Sequence, residues 1–266
     1  MDGHAGPVTG QAAIDWGAPW YQPWRDSGER VAGRWQAGLP LPDALNREAG
    51  SPVRFVAQQE LVPGEPYERH IFRSGDCPTR DNLHDFFNGL CWLLMPESKR
   101  QLNRLQALQM DSADPAAGRG PVRDAITVFD ENGALLYAPE PLWEALLARE
   151  WRALFVDLRP LWAQARLLVF GHALLEKLVS PRKALTAHVL RSPAPEVTGD
   201  ELDRWLAGQL TAERLAAKPF TPLPVLGVPG WWPQNQNFSF YDDSFVFRPA
   251  GHRQSQNNSD AADPAP

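Results

Sequence analysis

The sequence predicts an α+β fold: a helix-dominated single domain over residues 12–249, with short antiparallel hairpins and a proline- and tryptophan-rich C-terminal segment. Three observations predict it. Apolar residues make up 43% of the 266 positions and charged residues 22%, enough apolar material for a packed core. Several segments repeat apolar residues at steps of three and four, the period of a helix face. The 26 prolines interrupt those helices and leave short β-prone runs between them. Residues 1–11 read as a flexible start. Residues 250–266, rich in Gln, Asn, Ser and Pro, read as a disordered tail.

In chain order, Val53 to Gln58 and Tyr67 to Phe72 read as strands joined by a proline-marked turn. A helix starts near Thr79 to Asp81 and stops before Pro96, because the residue ahead of a proline is pushed away from helical geometry. Pro96 then occupies the first turn of a second helix, running to about Met110. Residues 111–121 read as a linker. Ala125 to Phe129 is β-prone, Asn132-Gly133 is a hairpin turn, and Leu135 to Tyr137 is the return strand. Pro141 opens a helix through about Phe155, and Pro160 opens another that ends before Pro181. Residues 191–199 form a further linker. Thr198 and Glu201 have capping-box spacing ahead of a Leu202, Leu206 and Leu210 stripe. Five prolines between Pro219 and Pro233 exclude regular helix or central strand, and Phe238 to Phe247 reads as a hairpin around Asp242-Asp243.

Bulk properties exclude several classes. The start lacks the basic, then apolar, pattern of a secretory signal. The longest apolar stretch, Leu161 to Val179, carries Gln164, Arg166, His172, Glu176 and Lys177, so no membrane span is expected. Cys77 and Cys91 are too few for a disulfide scaffold, which points to reduced thiols and the cytoplasm. A net charge of −6 argues against nucleic acid as a partner. The basic run Lys99 to Arg104 reads as the wet face of a helix. No phosphate-binding glycine loop, nucleophile elbow or activated cysteine is present.

Two polar groups carry the candidate chemistry. Asp81, His84, Asp85 and Asn88 share one side of a helix whose second half, Cys91 to Met95, is apolar all round. The polar face therefore ends against something packed, as a cleft lining would. A His beside carboxylates can act as general base or ligate a metal; alternatively, Asp81 supports the helix start while His84 and Asn88 satisfy neighbouring backbone. His172 falls on the stripe Leu161, Ala165, Leu168, Leu175 and Val179, with Glu176 one turn on. It is either a satisfied core histidine or the opposing half of the same site. If the two helices meet, two imidazoles and two carboxylates converge. Asp130 is explained by turn chemistry. Trp231-Trp232, followed by amides and the Asp242-Asp243 pair, suits stacking and hydrogen bonding to a sugar or base, or else straps the core.

Together these strings resemble a known family. Asp81-Asn82-Leu83-His84-Asp85-Phe86-Phe87-Asn88, Asp124 to Asp130, Phe170 to Lys177, Leu223 to Trp232 and Tyr241-Asp242-Asp243 resemble a proteobacterial family, the domain-of-unknown-function family 3025, over roughly residues 12 to 249. Leu83 stands where the family's helix motif has Trp. The resemblance implies that both histidine strings belong to one fold; it implies no activity.

The expectation is therefore a hydrolase or other general acid–base enzyme acting on a small polar molecule. His84 is base or ligand, Asp85 its orienting carboxylate, and His172 with Glu176 the opposing pair. Asn88, Trp231, Trp232, Asp242 and Asp243 are substrate-binding candidates. A divalent metal is left open as cofactor, and its ligands and the oligomeric state are unassigned. The alternative is a non-catalytic adaptor that binds a protein or glycan through the aromatic, proline-rich C-terminal segment.

Overall fold

The computed structural model describes residues 13–112 and 120–249. Ten helices and six strands are ordered among them as α1 (Arg25–Gln36), α2 (Leu41–Asn46), β1 (Arg54–Ala57), α3 (Tyr67–Ser74), β2 (Asp76–Thr79), α4 (Leu83–Leu94), α5 (Pro96–Ser112), α6 (Pro121–Asn132), β3 (Gly133–Tyr137), α7 (Glu140–Ala148), β4 (Arg166–Val169), α8 (His172–Lys177), β5 (Thr186–Arg191), α9 (Gly199–Gln209), α10 (Ala212–Ala216) and β6 (Thr221–Pro224). The fold is α+β and dominated by helices, as expected. Among the described residues, no helix is long and apolar enough to cross a membrane. The 1–11 and 250–266 segments and most of the 111–121 linker lie outside the described residues.

β1 and β2 pair in parallel, with α3 as the crossover. The larger sheet runs β4-β3-β5-β6. β3 is antiparallel to β4 and parallel to β5, while β5 is antiparallel to β6. Its antiparallel pairs join strands distant in sequence, not the local hairpins expected. Proline-bearing β6 sits on the edge, where a missing N–H is tolerated. In the segment before β1, Tyr21 stacks on Phe87 at 5.6 Å between ring centroids and donates its hydroxyl to the Leu175 carbonyl at 2.8 Å.

Four local expectations are corrected. Tyr67 to Phe72 is helical, burying His70 and Ile71 on one face. Ala125 to Phe129 is helical, because Val122, Ala125, Ile126 and Phe129 form a buried three-and-four stripe. The single helix expected from Pro160 is a 3₁₀ turn (Arg159–Gln164), then β4, then α8. Phe238–Asp242 is a 3₁₀ turn, not a hairpin arm; Tyr241 donates to the Gly227 carbonyl at 2.8 Å. The α4–α5 boundary at Pro96, the α9 stripe of Leu202, Leu206 and Leu210, and β1 stand as expected.

Candidate functional site

Two glycines and one helix cap place the site. Asn82 caps α4 by accepting the Asp85 N–H at 2.8 Å, which puts His84 in the first turn. α6 runs straight into β3, so Asp130 and Glu131 occupy its last turn. β4 lies antiparallel to β3, and the N–H groups of Phe170 and Gly171 both donate to the Gly133 carbonyl, at 2.9 and 2.8 Å. A Cβ on Gly171 would fall 2.5 Å from the Asn132 nitrogen and 2.5 Å from the Glu131 carbonyl oxygen. Only glycine lets α8 begin this close to the end of α6. His172, the first residue of α8, is thereby set against Asp130 and Glu131.

The two histidine helices do meet. The Nε2 atoms of His84 and His172 stand 3.2 Å apart, with ring planes 75° from parallel. His84 Nδ1 lies 3.0 Å from Glu176 Oε2, and His172 Nδ1 lies 3.6 Å from Asp130 Oδ2. Glu131 Oε1 is 4.0 Å from His172 Nε2. His84, His172, Asp130 and Glu131 line a cleft of about 330 Å³ that also takes in Tyr67, Glu68, Asp85 and Asn88, while Glu176 stands outside its lining. A second hollow of about 370 Å³ shares Tyr67, Glu68, Asn88, Asp130 and Glu131 with it and extends to Lys99 and Arg123.

The carboxylate roles differ from those expected. Asp85 accepts the Arg80 backbone N–H at 2.7 Å and the Arg80 guanidinium at 2.8 and 3.1 Å, so it anchors the loop before α4 and does not orient His84. Glu176 orients His84, and Asp130 is the carboxylate behind His172. Asp81 accepts the Leu41 N–H at 2.7 Å, tying α4 to α2. Asn88 donates to the Tyr67 hydroxyl at 3.3 Å on the cleft wall.

Burial sets the electrostatics. His172 is 5% exposed, and burial pushes its imidazole down to about 4; Asp130 opposes that shift, and Lys99 and His84 add to it. The ring is therefore neutral near pH 7, and its Nδ1 has no hydrogen-bond partner. Lys99 Nζ donates to Asp130 Oδ1 at 2.6 Å. Burial pulls the Lys99 ammonium down, but Asp130, Cys91 and Glu68 together leave the group above its ordinary value. Burial likewise raises the Asp130 carboxyl, yet Lys99 and His172 bring it below the usual carboxylate range. Burial, and then Asp130, raise the Glu68 carboxyl.

Lys99, Asp130, Glu131 and Glu68 were missed. Lys99, read from sequence as a wet face, is 4% exposed. A hint was present: Lys99, Leu102, Asn103 and Gln106 share one face of α5 at three- and four-residue steps, and all four are buried. That is a polar stripe turned inward.

The C-terminal candidates lie elsewhere. Trp231 packs on Trp20 at 6.1 Å between centroids, and Asp243 pairs with Lys183 at 3.0 Å. Trp232 is half-buried against the core and Asp242 is exposed. None of the four lines either hollow. They belong to a strap, pinned where Asn235 donates to the carbonyls of Leu226 and Val228 at 2.9 and 2.8 Å.

Comparison with known proteins adds a family and nothing on mechanism. A family model described as "Protein of unknown function (DUF3025)" matches residues 53–251, beginning later than the residue 12 expected from sequence. No curated protein and no solved structure matches the chain.

Proposed function

The chain belongs to the DUF3025 family, and on that footing we propose that it is an enzyme, foremost a hydrolase, performing general acid–base chemistry on a small polar molecule held between α4, α6 and α8. One observation carries the reading: two imidazoles 3.2 Å apart in an open cleft, each backed by a carboxylate. Glu176 accepts from the His84 ring N–H at 3.0 Å and favours positive charge on that ring, which makes its opposite nitrogen more basic, while Asp130 acts on His172 through its charge at 3.6 Å. His84 and His172 activate the attacking group, Glu176 and Asp130 orient them, and Asn88 offers the substrate a hydrogen bond. A hollow of about 330 Å³ walled by polar side chains suits a small polar molecule.

The reading as an adaptor acting through the C-terminal segment is less well supported, because Trp231 is spent on Trp20. Its remaining support is Phe245, which is 84% exposed on that segment. A cytoplasmic location is supported by Cys77 and Cys91, both free thiols.

The test is a panel of small carboxylic esters, amides and phosphate esters, assayed without chelator. Turnover of at least one member is expected, reduced about 10²- to 10⁴-fold by His84→Ala while thermal melting is retained. A panel with no substrate turned over, or parental rates in both His84→Ala and His172→Gln, overturns the reading.

A further inference from the structure

The imidazole pair poses a problem of hydrogen positions. An ionised carboxylate can only accept, so Glu176, 3.0 Å from His84 Nδ1, requires the proton on that nitrogen. Asp130, at 3.6 Å, likewise disfavours a lone pair on His172 Nδ1. With the proton of each ring on Nδ1, each Nε2 is left to offer a lone pair. Those lone pairs face each other across 3.2 Å. Placing the proton of His172 on Nε2 would relieve this, but it turns a buried Nδ1 lone pair toward Asp130, with no donor to satisfy it. Something positive belongs between the rings.

The dimensions suit a metal ion. Two imidazole nitrogens each about 2.0–2.1 Å from one ion stand about 2.9 Å apart at a right angle and about 3.3 Å apart at the tetrahedral angle. The observed 3.2 Å lies between them. A third donor is at hand: one oxygen of Glu131 and one nitrogen of each ring all lie within 4.8 Å of one another. We propose that His84 Nε2, His172 Nε2 and the Glu131 carboxylate bind one divalent transition-metal cation. Glu176 and Asp130 hold the ligand rings from behind.

Imidazole donors favour zinc, copper, iron, cobalt or nickel over magnesium, calcium and manganese, which suit oxygen ligands. Three protein donors leave at least one position for water or substrate, the pattern of a reactive rather than a structural site. Glu176 matches the usual arrangement in which a ligand histidine donates its other N–H to a carboxylate, and Asp130 stands 3.6 Å behind the second ring. The inference rests on the reading of this cleft as the reaction site and specifies what the imidazoles do there: they hold an ion that activates water.

The test uses the full chain, stripped with chelator and dialysed, then titrated with Zn²⁺ by calorimetry and with Co²⁺ by visible absorption. Stoichiometry of one ion per chain and the intense visible bands of a low-coordinate cobalt site with nitrogen ligands are expected. His84→Ala and Glu131→Gln, both at partly exposed positions, are expected to weaken Zn²⁺ binding about a hundredfold or more, and Glu176→Gln about 10- to 100-fold. Asp243→Asn, in the strap, should bind as the parent does. Absence of a one-to-one complex, or binding indifferent to His84→Ala and Glu131→Gln, overturns the inference. So does nitrogen NMR showing one imidazolium proton shared between the rings while Zn²⁺ leaves the spectrum unchanged. Binding is read without a substrate, so failures separate. Histidine-dependent hydrolysis by a chain that binds no metal defeats only this inference, whereas a metal-loaded chain with no turnover defeats only the hydrolase reading.

Discussion

Lys99 and Asp130 show what a single buried pair does beneath a reactive surface. Neither is a ligand in the proposed site, yet Asp130 faces Lys99 on one oxygen, at 2.6 Å, and His172 on the other, at 3.6 Å. The lysine secures the negative charge that the histidine leans on. Removing one partner strands a charge in a poorly solvated place, so Lys99→Met or Asp130→Asn is expected to cost about 3–5 kcal/mol. The paired replacement Lys99→Met with Asp130→Leu should cost markedly less, because no charge is left unmatched. Guanidinium unfolding of the three variants measures this. Equal losses in all three would show that packing, not charge, holds the position. These residues were illegible in the sequence for a physical reason. Lys99 sits in the basic run Lys99 to Arg104, and Asp130 precedes Asn132-Gly133, so each had a sufficient local explanation in a solvated helix or a turn. Their pairing spans 31 residues and exists only once α5 and α6 pack. His84 was legible because it sits where its helix turns from polar to buried, and His172 because it stands among apolar residues at helical spacing.

At the scale of elements, the legible ones were those whose punctuation and period agreed. α4 and α5 meet at Pro96, where a proline stop and an apolar stripe coincide; the Asn82 cap, which starts α4 at Leu83, was not read. Misread segments were those where composition and period disagreed. Ile126, Thr127, Val128 and Phe129 favour strands by type, but burial on α6 follows the helical spacing of Val122, Ala125, Ile126 and Phe129. Conversely, Leu161 to Val179 has helical spacing, yet Arg166–Val169 is drawn into β4 because β3 offers a ladder to pair with. Two element ends then set the site, and each makes a prediction. Asn82→Ala removes the acceptor at the start of α4 and should cost about 1 kcal/mol. Gly171→Ala forces a methyl into the Asn132 backbone and should cost about 1–3 kcal/mol. It should also push His172 away from Glu131, so hydrolysis and Zn²⁺ binding fall further than stability does. Thermal melts beside calorimetry measure both effects; a parent-like Gly171→Ala protein would refute the close approach.

Across the whole molecule, the family match begins at residue 53, but the packed unit begins earlier. Trp20, Tyr21, Trp24, Leu41 and Leu45 are buried in the same core as Phe86 and Phe87. A chain started at residue 53 is therefore expected to lose cooperative unfolding and to bind a hydrophobic dye; a sharp melt from that fragment would show the opposite. The expected span of 12–249 came with the family resemblance and takes in those aromatics, which the shorter family match leaves out. The core also protects Cys77 and Cys91, whose thiols burial pushes up to about 12. Unfolded thiols lose their protons near pH 8.5 while the folded ones keep theirs, so stability is retained below that value and falls as pH rises toward 12. The two thiols together contribute a slope of up to about 2.7 kcal/mol per pH unit over that range. Unfolding curves at pH 8, 9 and 10 should show the decline, and a thiol reagent at pH 8 should label neither cysteine until the chain is denatured. The sheet has a different consequence. Glu131 hangs from the head of β3 and His172 from the tail of β4, and these strands are neighbours with Ala134 opposite Val169. A slip of the ladder by one residue would carry the glutamate about 3.3 Å past the histidine, as far as the whole gap between the two rings. Strand alignment thus works as a ruler for the chemistry, and because a one-residue slip would also turn each β3 side chain to the opposite face, the buried packing of that strand keeps the ruler fixed.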